Sequence, residues 1–141
     1  MTFYNFNVNG IEPAPQDSKT YLGGGRLIES CKRVKTWRSL VYKVAGKFIK
    51  TPIEGPCEVK LVFKLKRRKS DFNSKGEVKN KAPQHYVIKK NDLDKLVRST
   101  LDGLTGVAYK DDCQVIRILA SKRYADFEDE GAEIFIHALD I

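Results

Sequence analysis

Histidine is scarce in this chain, represented only by His85 and His137, and cysteine is limited to Cys31, Cys57 and Cys113. Three widely spaced thiols with no C-x-x-C pair exclude a zinc knuckle and a disulfide framework. They fit incidental or buried thiols in a reducing compartment. With so few imidazoles, no Ser-His-Asp or Cys-His arrangement is in view. Nothing approaches the roughly 18 consecutive apolar residues that a membrane-spanning helix requires. The opening Met1-Thr2-Phe3-Tyr4-Asn5 has neither the basic lead nor the apolar run of a secretory leader. The Gly23-Gly24-Gly25 run lacks the Lys-Ser/Thr that follows the glycines of a P-loop, so it carries no nucleotide signal. The expectation is a soluble protein of the cytoplasm, 141 residues long and hence one ordinary domain.

Charge is abundant and unevenly distributed. The chain carries a net +8. Lys60 to Lys90 holds eleven Lys/Arg against two acids, whereas Asn91 to Ile141 holds six against eleven. A basic stretch attracts a polyanion, and an adjacent acidic cluster repels one unless a cation sits between them. That combination fits metal-assisted chemistry on a phosphodiester. A basic surface kept soluble by scattered acids would look the same from composition alone.

Hydrophobic spacing predicts the order β-α-β-α-β-β in an α+β fold, a mixed sheet with two main helices packed on it. Thr2–Val8 alternates and stops before Pro13 and Pro15, and residues 16–29 read as a loop. Ser30 can cap a helix on which Val34, Trp37, Val41, Val44 and Phe48 share one face, with Trp37 in core phase. Cys57–Lys66 is the clearest strand. Residues 67–90 form a long basic loop, a candidate cover for a phosphate backbone or merely a solvated hairpin, and His85 lies within it. A second helix runs from near Asp92 to Thr105, stopped by Gly106, followed by strands at Val115–Lys122 and Ala132–Ala138. His137 lies in the last strand and is read as structural.

Three features around the second helix carry chemistry. Asp92 and Asp94 converge only if Asp92 is still extended as the chain enters the helix. Taken alone, the pair also suits an N-cap and a first-turn acid. Asp94, Arg98 and Asp102 follow at steps of four, either as an ion-pair ladder or with Arg98 free to face a phosphate. Asp111-Asp112 is a poor strand beginning that a divalent ion would relieve, or a simple polar turn. Such oxygen donors on neighbouring elements suit Mg²⁺ or Mn²⁺.

At these residues the sequence resembles the RusA family of Holliday junction resolvases, particularly phage-borne members. The matching blocks are Asp92-Leu93-Asp94-Lys95-Leu96-Val97-Arg98, Leu101-Asp102-Gly103-Leu104-Thr105-Gly106 and Asp111-Asp112-Cys113-Gln114-Val115. Pro13-Ala14-Pro15-Gln16-Asp17-Ser18-Lys19 and Trp37-Arg38 add an opening and a helix motif. The resemblance implies a homodimeric endonuclease that nicks four-way DNA junctions symmetrically in a bacterial or phage-infected cell. Asp92, Asp94 and Asp112 would be its Mg²⁺ ligands and Arg98 its catalytic cation. Lys19, Lys32, Lys35, Arg67, Arg68, Lys69, Lys89 and Lys90 are the expected DNA contacts. Two departures stand out: Asn91 replaces a frequent proline, suggesting a less rigid approach to the helix, and Asp17 replaces glycine. The rival readings are a non-catalytic nucleic-acid-binding module and a nuclease for other branched DNA.

Overall fold

A computed structural model describes residues 2–16, 19–21, 27–29 and 32–139, with the backbone alone at 19–21 and 27–29. The alternating run Cys57–Leu65 forms β4, an interior strand that buries Cys57, Val59, Leu61, Phe63 and Leu65. It is flanked by β6 (Gly131–Ala138) and β5 (Val115–Tyr124), and β1 (Phe3–Asn9) closes the other edge in the order β1-β6-β4-β5. β5 is parallel to β4, whereas β1–β6 and β4–β6 are antiparallel. A parallel neighbour demands a crossover, and the connection from β4 to β5 contains helix α2 (Leu93–Leu104).

The core joins Val34, Trp37, Val41 and Ala45 of α1 (Val34–Phe48) to Leu96 and Leu104 of α2 and to the inward residues of β4 and β6. The two helices meet closely at Gly103, where an added Cβ would lie 3.0 Å from the Arg38 carbonyl oxygen and from Val41 Cβ. The indole of Trp37 is fully buried and donates from Nε1 to Thr100 Oγ1 at 3.1 Å, so this residue is core, as its phase predicts. The α+β mixed sheet with two helices is the architecture expected from the spacing.

Local differences have local causes. Residues 19–21 and 27–29 pair as a short hairpin (β2 and β3) where a loop was expected; Ser30, Cys31 and Gly23–Gly25 lie outside the described residues. Phe48 is half exposed and stacks on Phe6 at 5.3 Å, while Ala45 takes the buried position one turn earlier. The 67–90 segment carries a 3₁₀ turn at Lys69–Asp71 and a bridge between Phe72 and Val78. Gly106, at φ +92°, ends the turn after α2, as its position predicted.

Candidate active site

Asp92 occupies the N-cap of α2 with extended backbone (φ −58°, ψ 136°), so it is still outside the helix, as convergence with Asp94 requires. Its carboxylate is exposed and makes no capping hydrogen bond. The common role of an aspartate at this position, accepting from a first-turn amide, is therefore not the role of Asp92. Asp94 stands in the first turn with its side chain 72% exposed, paired with Lys95 Nζ at 2.5 Å. The lysine holds the Asp94 carboxyl below the ordinary range.

The residue before them is not loose. Asn91 is 4% exposed with a left-handed φ of +56°, a value proline cannot adopt. Arg33 Nη2 donates to its side-chain oxygen (3.4 Å), its amide donates to the Tyr86 hydroxyl (3.2 Å), and Lys122 Nζ donates to its carbonyl (3.1 Å). The expectation of a less rigid approach through Asn91 is corrected: Arg33 and Lys122, from distant parts of the chain, and Tyr86, five residues away, replace the restraint of a proline ring.

The Asp94–Arg98–Asp102 ladder is not formed. Asp94 pairs with its neighbour Lys95, and Asp102 accepts from Gln16 Nε2 at 2.7 Å. Gln16, nearly buried, in turn accepts from Arg38 Nη1 at 2.8 Å. Arg98 is exposed one turn beyond Asp94 with its guanidinium in no ion pair among the described residues. The Pro13–Gln16 segment docks on α2 through Gln16 N to Lys95 O and Ser99 Oγ to Ala14 O. The proline-rich and Trp-Arg motifs thus brace the acidic helix, a role that their sequence alone did not reveal.

Asp111 and Asp112 divide their duties. Asp111 accepts from the Cys113 amide, while the Gln114 side chain receives the Asp111 amide, a capping box on the 3₁₀ turn Asp112–Gln114. The Cys113 amide, followed by the Cys113 side chain and Asp112, depresses the Asp111 carboxyl. Asp112 is exposed, and its carboxyl is raised by partial desolvation, then by the adjacent Asp111 and the charge of Asp102. The polar-turn account suits Asp111; Asp112 has no such duty.

α2 runs against β5. Lys122, near the end of β5, reaches the approach to α2, while Asp112, just before β5, feels Asp102 near the end of α2. Ten residues of helical rise separate Asp92 from Asp102 by about 15 Å. Among the described residues, no three His, Cys, Asp or Glu side chains gather to hold a metal ion. The donor chemistry fits a hard cation, with exposed carboxylates free of capping duties, but one chain does not bring all three aspartates together.

Basic residues surround the Asp92 end. Lys66, Arg68 and Lys90 line a recess of about 360 Å³ with Tyr86 and Asn91, together with Glu130 and Glu12, which pair with Lys66 and Lys90. Arg68, Lys69, Lys89, Lys32 and Lys35 are exposed, and Lys90 pairs with Glu12 at 3.3 Å while remaining 58% exposed. Lys19 lies on β2, where only the backbone is described. Arg67 departs from expectation. Its side chain is 6% exposed and is occupied by Asp126, Asp71, the Pro83 carbonyl and the Tyr124 ring, so it is built into the fold rather than held out to DNA. His85 is exposed, and His137 meets the Phe3 ring edge at 6.0 Å on β6.

Exposed carboxylates at a helix entrance, beside exposed lysines and arginines, are the equipment of a phosphodiester-cleaving enzyme. The family model for endodeoxyribonuclease RusA matches residues 11–137, and the chain belongs to that family. It is an enzyme that hydrolyses DNA, of a family that acts on Holliday junctions and depends on a metal. The non-catalytic binding module is thereby set aside. No curated protein matches the chain. Among the described residues, no helix is long and apolar enough to cross a membrane.

Proposed function

We propose that the protein nicks four-way DNA junctions in symmetric pairs, as a homodimer, with Mg²⁺ or Mn²⁺ held by Asp92, Asp94 and Asp112. The observation that carries this reading is the Asp92 carboxylate, which sits at a helix N-cap without capping it. Its oxygens remain available for a ligand at the positive end of α2. Mg²⁺ bound there supplies a Lewis acid for the scissile phosphate and lowers the pKa of an attacking water. Arg98 offsets charge on that phosphate. Arg68, Lys69, Lys89 and Lys90, with Lys32, Lys35 and Lys19, hold flanking phosphates and position the duplex without reading its bases.

Because one chain separates the ligands, the reading composes each site from two chains. A two-fold axis through the middle of β5 exchanges the ends of that strand. Asp112 of one copy then approaches Asp92 and Asp94 of the other. Support comes from β5 itself, an edge strand that exposes Ile116, Ile118 and Leu119. Its acidic beginning would also meet the basic end marked by Lys122. Paired nicks on a symmetric junction follow from paired sites, and a role in recombination and repair, in a bacterial or phage-infected cytoplasm, follows from that substrate.

Cleavage of a four-way junction, a fork, a flap and a linear duplex, each with Mg²⁺, Mn²⁺ or chelator, tests the reading. The junction should be cut in a metal-dependent way. Asp94→Asn should keep folding and junction binding while losing about 100-fold or more in cleavage rate. An Asp94→Asn variant cutting at the wild-type rate overturns the ligand assignment; a preference for the flap overturns the substrate.

A further inference from the structure

Asn91 is the one non-glycine residue with a positive φ among the described residues. The left-handed region disfavours L-residues because of Cβ crowding, and asparagine tolerates it better than most. The conformation is held from three directions. Arg33 immediately precedes α1, Tyr86 belongs to the long basic segment, and Lys122 lies on β5. Each is itself anchored. Arg33 pairs with Glu12 at 3.1 Å and donates to the Pro13 carbonyl at 3.3 Å. The Lys122 ammonium stands 4.9 Å over the Tyr86 ring, and that ring packs on Tyr124 at 5.2 Å.

The bond from Lys122 to the Asn91 carbonyl has a particular consequence. That carbonyl belongs to the peptide joining Asn91 to Asp92, so holding it fixes the plane from which Asp92 departs. Asp92 then adopts extended backbone at the N-cap with its carboxylate off the first-turn amides. We propose that Asn91 is the positioning residue of Asp92: its left-handed backbone, clamped by Arg33, Tyr86 and Lys122, turns the carboxylate away from helix capping and out toward the metal. This deepens the proposed function and rests on Asp92 being a ligand there.

The test is Mn²⁺ binding to the full chain without DNA, followed by calorimetry, together with amide hydrogen exchange over Leu93–Leu96. Asn91→Val resists positive φ, whereas Asn91→Gly adopts it freely. The valine variant should lose about tenfold or more in Mn²⁺ affinity, the scale of losing a ligand's support. The glycine variant adopts the backbone and keeps the Lys122 bond but forfeits the side-chain bonds to Arg33 and Tyr86, so it should lose less affinity than the valine variant and no less than Tyr86→Phe. Tyr86→Phe, which removes one restraint and keeps the ring, should bind Mn²⁺ more weakly than wild type and quicken exchange at Leu96, whose amide donates to the Asp92 carbonyl.

Wild-type affinity in Asn91→Val, or an equal loss in Asn91→Gly, overturns the proposal. If Asn91→Val does not fold, Tyr86→Phe decides: unchanged affinity and exchange overturn it. A wild-type chain that binds no Mn²⁺, with Asp92→Asn indistinguishable from it, overturns the ligand assignment instead, and exchange at Leu93–Leu96 in the variants still tests the clamp.

Discussion

Arg67 and Arg68 are adjacent and chemically identical, yet they serve different ends. Arg67 Nε lies 2.6 Å from Asp126 Oδ1, Nη1 donates to the Pro83 carbonyl at 2.7 Å, and the guanidinium sits 3.9 Å over Tyr124. The hydrogen bond to Asp126 raises its already high pKa, so it is a fixed cation. Arg68 is exposed and lines the recess beside Asn91. Arg67→Met should lower the unfolding free energy by about 2–3 kcal/mol, because Asp71 loses its nearby cation in a buried setting. It should leave the salt dependence of junction binding as in wild type. Arg68→Ala should do the reverse, keeping stability and reducing the slope of log affinity against log salt by about 1, the loss of one phosphate contact. Denaturant melts and salt titrations check both, and exchanged outcomes contradict the assignment. The sequence shows a single Arg-Arg-Lys patch; what divides it is an aspartate 59 residues away, which no local pattern contains. Asp111 and Asp112 are similar: two adjacent carboxylates in sequence, separated in the fold by which of them receives the Cys113 amide.

The elements were far more legible than the loops between them, because burying one face imposes a period that survives in the chain. Alternation in Cys57–Leu65 and three-four spacing in α1 and α2 follow from packing against a common core. Less regular are the 3₁₀ turn at Asp112–Gln114, held by a capping box, and the backbone pairing of β2 with β3, neither of which shows a long alternating or helical period in the sequence. The spacing of α1 also could not show how near α2 comes. That approach depends on Gly103, whose missing side chain admits Arg38 O and Val41. Gly103→Ala should destabilise the fold by about 1–3 kcal/mol through overpacking, even though alanine is the better helix former. A denaturant midpoint that falls with an unchanged m-value is the expected result. A midpoint that rises would mean that the helices have room to yield.

At the scale of the whole molecule, the motif blocks in the sequence gather the right residue types but say nothing of which end of a helix meets which end of a strand. α2 opposes β5, so Asp92 and Asp94 stand at one end and Asp112 at the other. The proposed donors are legible as residue types; their separation within one chain is not, because it depends on how α2 and β5 align in the folded sheet. The most direct measurement joins an Asp92→Asn chain to an Asp112→Asn chain in one dimer, isolated by two different affinity tags, and scores nicks on a four-way junction. A site composed across two chains leaves one of the two sites with both carboxylates intact. The heterodimer should then nick one strand, at about half the wild-type nick yield, while either variant alone is inactive. A heterodimer as inactive as its parents would contradict the account.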